Sequence, residues 1–231
     1  MYISYNFAFK DGTHHRVIVD VLRAEREAPL VSRTPPPDWT RLEYKQCPNC
    51  PLKPEQHPRC PPAVDLVPTL GAFAKIISYT EARVTVEMEE RTVSRECQAQ
   101  QALSSLVALM MATSACPILG RMRGLARTHL PFATPEESLL RSLGAYLLKQ
   151  LRVHRDGGQP DWDLEGLKAH YAQLETLNKA FKSRVRAASE QDATLNAVSA
   201  LGVLSMGIGV SIDDQLSELE PYLVSIEPQA T

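Results

Sequence analysis

Residues 2–9 read Tyr2-Ile3-Ser4-Tyr5-Asn6-Phe7-Ala8-Phe9, followed by Lys10-Asp11-Gly12-Thr13 and a return through Arg16-Val17-Ile18-Val19-Asp20-Val21-Leu22. Two runs of aromatic and β-branched residues flank an Asp-Gly step, the signal of antiparallel strands joined by a tight turn. A later stretch, Ala82-Arg83-Val84-Thr85-Val86-Glu87-Met88-Glu89, alternates with period two. That is the pattern of a half-buried strand, and it is expected to join the hairpin in one antiparallel sheet. Between them, residues 63–78 carry Val64, Leu66, Val67, Leu70, Phe73, Ala74 and Ile77 mostly on one helical face. Pro68 predicts a late start or a kink there.

After Cys97 the chain reads as helical throughout. Residues 102–112 are apolar on most sides, as a central helix would be, and Cys116-Pro117 is expected to open another helix capped by Ser114. Thr134-Pro135-Glu136-Glu137 combines an N-cap threonine, a proline at the first helical position and a glutamate three residues after the cap. This capping box predicts a helix over 134–153. Asp161 or Asp163 then caps a long helix whose positions Leu164, Leu167, Tyr171, Leu174, Phe181 and Val185 keep heptad spacing, with Asn178 in the seam. A last helix is expected over 191–204, and Ser211-Ile212-Asp213-Asp214 reads as the start of a short one. The fold class this predicts is α+β: a small N-terminal antiparallel sheet with a Cys/Pro-rich loop, about 1–96, and an antiparallel helical bundle, about 97–231. The sheet alone is too thin to cover itself, so one domain over 1–231 is expected.

Hydrophobic residues make up 44% of the 231 and charged residues 23%, which places the chain among ordinary soluble globular proteins. A formal net charge of -2, with both signs mixed along the chain, gives no footprint for nucleic acid. The opening Met1-Tyr2-Ile3-Ser4-Tyr5 has no basic stretch followed by an apolar run. No apolar stretch reaches the ~18 residues of a membrane span. A cytoplasmic protein is therefore expected, without membrane or nucleic-acid partners. A protein partner or homodimer remains open.

Three cysteines and a histidine lie within a proline-rich loop: Cys47-Pro48-Asn49-Cys50-Pro51-Leu52, then His57-Pro58-Arg59-Cys60-Pro61. Ten prolines between positions 28 and 62 disfavour long helices and central strands there. A Cys-x2-Cys step puts two sulfurs on one turn, where they can close on one ion. In a reducing compartment, five cysteines are metal ligands or free thiols rather than disulfides. Four of them precede proline: Cys47, Cys50, Cys60 and Cys116. A proline there removes a competing amide donor and stiffens the turn that aims the sulfur. These four make the favoured ligand set, and His57 is the alternative fourth ligand. Locality favours His57, because a short loop costs less to close. The shared Cys-Pro context, and the gain from anchoring the loop to the helical half, favour Cys116. Zinc is the favoured metal and an iron–sulfur cluster the alternative. Packed reduced cysteines are the plain reading; it suits Cys97 at a strand-to-helix junction, and suits the loop poorly.

Other polar residues carry weaker signals. His129, in Thr128-His129-Leu130-Pro131-Phe132, lies ahead of Glu136 and Glu137 and invites a general base or second metal site, though a loop histidine serving a helix end is the plainer reading. His14 and His15 point to opposite faces of a strand and are assigned to the surface. Asn178, Arg184, Asp192 and Asn196 are expected to fix helix register or line a pocket. No Walker loop, Gly-x-Gly-x-x-Gly, Gly-x-Ser-x-Gly or His-Glu-x-x-His occurs.

The order of Asp11-Gly12, Gln46-Cys47-Pro48-Asn49-Cys50-Pro51-Leu52, Cys60-Pro61, Met111-Ala112-Thr113-Ser114-Ala115-Cys116-Pro117, His129-Leu130-Pro131-Phe132 and Asp192-Ala193-x-x-Asn196-Ala197 resembles an uncharacterised family of bacterial proteins over nearly the full length. The resemblance implies bacterial origin and groups Cys116 with the loop cysteines. It carries no activity. The sequence therefore predicts a non-enzymatic, metal-binding regulatory or adaptor module. An iron–sulfur redox or sensor protein, and an enzyme with a pocket near His129, are the alternatives.

Overall fold

The computed structural model of the chain describes residues 1–23, 35–186 and 219–223. Strand β1 (Tyr2–Phe9) pairs antiparallel with β2 (His14–Asp20) on one side and with β3 (Glu81–Glu87) on the other. Strand β4 (Thr92–Gln98) pairs with β3, so the order is β2-β1-β3-β4. Gly12 makes the hairpin turn at φ 86°, where a side chain would be strained, and the Asp11 carboxylate accepts the Thr13 N–H at 2.9 Å. Ile3, Tyr5, Phe7 and Phe9 all face inward, with Ala82, Val84 and Val86 beside them. The register sets Tyr5 opposite Val86 and Phe7 opposite Val84, so the two central strands supply one continuous apolar face.

β4 was not expected: the alternating pattern ends at Glu89, and the helical reading begins after Cys97. Only Cys97 of β4 is fully buried. An edge strand with one covered side chain leaves no period-two signal in hydrophobicity, because its stabilisation is the backbone ladder to β3.

The helices bury the inner face. Helix α1 (Pro61–Ala72) starts directly after Cys60, with Pro61 and Pro62 in its first turn, where a missing N–H costs nothing. It starts earlier and ends sooner than the sequence pattern predicts. Pro68 sits inside it on the exposed side, and Ile77 lies beyond its end, exposed. Helix α2 (Ala99–Ala112) follows β4 without a break, capped reciprocally by Gln98 and Gln101. Its Leu103, Leu106 and Val107 are buried, as a central helix requires. The expected helix from Cys116 is only a 3₁₀ turn, Leu119–Met122, and a short α3 (Arg123–Arg127). Gly120 and Gly124 weaken helix formation there.

Helix α4 (Pro135–Arg155) begins at the predicted capping box. Thr134 Oγ1 accepts the Glu137 N–H at 3.2 Å, and the Glu137 carboxylate accepts the Thr134 N–H at 2.8 Å. Helix α5 (Glu165–Arg186) is capped by Asp161, whose carboxylate accepts the Glu165 and Gly166 N–H groups at 3.1 and 2.7 Å. The Tyr146 hydroxyl donates to the same carboxylate at 2.7 Å and so ties α4 to α5. Only glycine fits at 166, because a Cβ would lie 2.4 Å from that hydroxyl oxygen. The predicted heptad positions of α5 are all buried, with Asn178 among them. The helices expected over 191–204 and from Ser211 fall outside the described residues, apart from helical residues 219–223. The fold is α+β, and the buried residues of sheet and helices form one contiguous cluster.

Leu167 is buried on α5, whereas Glu165 is exposed and pairs only with Lys168. Leu167→Asp places an unpaired charge in the core and is expected to cost about 3 kcal/mol or more, with Glu165→Ala within about 0.5 kcal/mol of the parent. Urea denaturation of both variants checks this. Equal effects would mean that the buried face of α5 is misassigned.

Candidate metal centre

The proline-rich loop before α1 is tied off at its base. The Leu42 N–H donates to the Pro58 carbonyl at 3.0 Å, and the Cys60 N–H donates to the Thr40 carbonyl at 2.8 Å. The Arg59 guanidinium reinforces this by donating to the Pro37 carbonyl and to Thr40 Oγ1. At the tip, the Cys50 N–H donates to the Cys47 carbonyl at 3.0 Å and closes the tight turn expected of Cys-x2-Cys. Two side chains fasten the tip to α5: Asn49 donates to the Gln173 carbonyl at 2.9 Å, and Lys45 to the Ser183 carbonyl at 3.2 Å.

This path brings Cys47, Cys50 and Cys60 around one enclosed void of about 20 Å³, and Cys116 joins them from the end of α2. Leu177 and Phe181 of α5 cover it. All four thiols are free of disulfides. Every pair among the four interacts electrostatically. Burial pushes the Cys47 thiol up to about 12 and the Cys60 thiol up to about 11, and each is raised further by the other cysteines. Among the described residues, no group of three or more His, Cys, Asp or Glu side chains is closed around a metal-sized point. The four sulfurs therefore share a chamber without gripping a centre.

Local backbone favours thiolate at two of them. Cys60 is the N-cap of α1, and the backbone amide of Ala63 works against burial by lowering its thiol. The amides of Leu119 and Ile118 lower the Cys116 thiol in the same way. In both, the proline after the cysteine has no N–H, so the amides that act on the sulfur come from further along the chain. Such amides stabilise the charged sulfur.

The residue that sequence reasoning undervalued is Arg184. It lies on the face of α5 that carries Leu177 and Phe181, and only 1% of it is exposed. One terminal nitrogen donates to the Trp39 and Arg41 carbonyls at 2.8 and 2.6 Å, and the other to the Leu42 carbonyl at 2.9 Å. Its guanidinium carbon sits 5.9 Å from the centre of the Tyr44 ring. Its Nε has no partner, and no carboxylate pairs with it among the described residues. Its positive charge lowers the thiol pKa values of Cys47 and Cys60. The spacing 177–181–184 was the available signal, since it puts an arginine on the same face as two buried apolar residues.

The remaining predicted residues separate. His57 is exposed and does not line the void. Cys97 is buried on β4, outside the chamber. His15 is half-buried rather than a surface residue, its ring 4.8 Å from that of Phe73; His14 is exposed. His129 Nε2 lies 2.6 Å from the Tyr5 hydroxyl, which also meets Ser105 Oγ at 2.8 Å. Glu137 is engaged at the α4 cap instead. His129 and Asn178 line a separate, larger cavity of about 460 Å³. Asp192 and Asn196 fall outside the described residues. Among the described residues, no helix is long and apolar enough to cross a membrane.

Residues 3–223 match the model of a family described as a domain of unknown function, DUF6901. The chain belongs to that family. No curated protein matches the DUF6901 chain, and neither does any solved structure. The uncharacterised family expected from the sequence is thus shown, while its chemistry has to be argued from the residues themselves.

Two expectations test this geometry. Arg184→Met strips three carbonyls, that of Leu42 buried, of their donor and is expected to cost about 3 kcal/mol or more, measured by urea denaturation. Arg184→Lys, which keeps the charge but not the fork, is expected to recover part of the loss. The second expectation concerns pH. Burial lowers His129 and His170 from 6.5 to about 4, with nearby Arg141 and Arg121 adding to it respectively. Between those values the unfolded chain takes up protons that the folded chain refuses. Their contribution is full above about 6.5 and is lost as pH falls towards 4. Melting temperature should decline across that window, and His129→Gln should flatten part of the decline.

Proposed function

We propose that this chain binds a single zinc ion through Cys47, Cys50, Cys60 and Cys116, and serves as a non-enzymatic regulatory or adaptor module. The observation that carries the reading is Arg184: a buried cation with no carboxylate partner among the described residues, acting on Cys47 and Cys60. Beside four neutral thiols, its charge has no counter-ion. Four thiolates around a divalent ion leave two net negative charges, and a buried arginine then offsets one of them.

The donor set fits the ion. Four sulfurs from three chain segments, drawn in from the shared chamber, would supply the four ligands of tetrahedral zinc and leave no position for water or substrate, as in structural sites. Thiolates give up their protons to the metal, and the amide groups at Cys60 and Cys116 favour the charged form. A void of about 20 Å³ is close to the space of one small ion or water, which supports a mononuclear site over an iron–sulfur cluster. Bound there, zinc would clamp the loop and the start of α1 to the α2–α3 connection.

Metal analysis of purified protein checks the proposal. About one zinc per chain is expected. Cys116→Ser should lose it and His57→Ala should keep it. A chelator should lower the melting temperature of the parent, since metal affinity is folding energy. Brown protein absorbing near ~400 nm would point to an iron–sulfur cluster instead. Loss of metal in His57→Ala alone would return Cys116 to the core. Metal-free protein with a chelator-insensitive melt would remove the metal reading altogether.

A further inference from the structure

The cavity of about 460 Å³ lies against the stripe of α5 next to the one that covers the cysteine chamber. It is bounded by α2, the α3–α4 connection, α4 and α5, with Ala108, Met122, Phe132, Arg141 and Leu174 among its walls. Its volume is that of a small-molecule site, which usually falls between about 300 and 1,000 Å³. The walls are mainly apolar. Several polar groups within them are already spent: the Tyr171 hydroxyl donates to Ser142 Oγ at 2.8 Å, and Ser142 Oγ donates to the Ser138 carbonyl at 2.9 Å.

Arg141 differs from these. Its hydrogen bonds all leave one terminal nitrogen, which donates to the Leu125 carbonyl at 2.9 Å, the Thr128 carbonyl at 2.6 Å and Thr128 Oγ1 at 3.3 Å. Those bonds hold the guanidinium in place and leave Nε and the second terminal nitrogen without a partner among the described residues. It forms no ion pair with a described carboxylate. Arg95, on β4, stands at the same cavity with its guanidinium carbon 5.9 Å from the Phe132 ring centre, and it too has no described carboxylate partner. Two cations thus border one apolar chamber; Glu137, one turn back on α4, acts on Arg141 from a distance without closing an ion pair.

The chamber also holds strained backbone. Phe132 adopts φ 60°, a left-handed conformation that costs a bulky residue about 1 kcal/mol or more. It is held there by its N–H, which donates to Ser105 Oγ at 3.3 Å. Ser105 is in turn bonded to the Tyr5 hydroxyl, which meets His129. This polar chain runs from the centre of the sheet to the cavity wall and fixes the Phe132 ring beside Arg95. Strain kept in place by a buried network marks a surface built to one shape.

We propose that this cavity is a binding site for an amphipathic organic anion, an apolar chain or ring system lodged against α2 and α5 with one carboxylate or phosphate head at Arg141 and Arg95. The apolar body replaces water on the Ala108, Met122 and Leu174 walls. The head accepts hydrogen bonds from the free edge of the Arg141 guanidinium, and Arg95 adds attraction from the rim. A neutral body of equal size would leave Arg141 without an anion in a partly desolvated place, so the head group decides affinity.

The test uses the full chain with dodecanoate and dodecanol as probes. Calorimetry is expected to show one dodecanoate per chain, bound at least tenfold more tightly than dodecanol. Arg141→Gln should abolish that difference, and Ala108→Trp, which fills the chamber, should abolish uptake of both. A diazirine-bearing dodecanoate on the unaltered protein gives a readout free of folding effects: mass spectrometry should place its label on α2 and the 122–132 segment. Absence of saturable uptake, equal binding of the two probes, or labels confined to other surfaces would each overturn the proposal.

Discussion

The arrangement turns on a buried cation. Arg184 reaches back across the chain to the carbonyls of Trp39, Arg41 and Leu42, between 142 and 145 residues away in sequence. The loop that carries these carbonyls has few apolar side chains and cannot bury itself. What holds it is the need of a desolvated guanidinium for acceptors and the need of turned-in carbonyls for donors. Neither partner is satisfied without the other. Contacts of such separation carry a loop-closure cost, so the rest of α5 must be packed before they form. The heptad face of α5, from Leu167 to Val185, supplies that packing.

Because α5 is buried broadly, it serves two chambers. Leu174 and Asn178 face the larger cavity, while Leu177 and Phe181 cover the cysteines. These residues alternate along less than two turns, and helix geometry places their two stripes about 60° apart. The segment after α2 behaves likewise: Cys116 and Ile118 belong to the cysteine chamber, and Leu119 to the other. A close-packed helix cannot move one stripe without moving the next.

The sequence disclosed the elements whose stability is local. Asp11-Gly12 demanded a turn, and the box at Thr134 and Glu137 fixed the start of α4 before any tertiary contact was known. It also exposed the seam of α5, whose heptad residues are buried as their spacing implied. β4 was hidden, since its reason for existing is the backbone edge of β3 rather than its own side chains. The helix expected at Cys116 shrank to a turn because Gly120 and Gly124 oppose it, and that signal was present but outweighed by Cys-Pro.

The candidate site was legible for a different reason. Cys60-Pro61 and Cys116-Pro117 each set a proline, which has no amide to offer, directly after the sulfur, and amides further along lower both thiols. Cys97-Gln98 lacks that proline, and Cys97 ends on the inner face of a strand. The dipeptide thus sorts sulfurs aimed by a turn from sulfurs packed as small hydrophobes. Arg184 could not be found this way. A charged residue in a helix seam reads as register control in any bundle. Its meaning comes from what lies near it, and the cysteines it acts on, Cys47 and Cys60, belong to a loop far from it in sequence. The cysteines announce themselves by their Cys-Pro context, whereas the guanidinium that acts on Cys47 and Cys60 takes its meaning from what the fold packs around it.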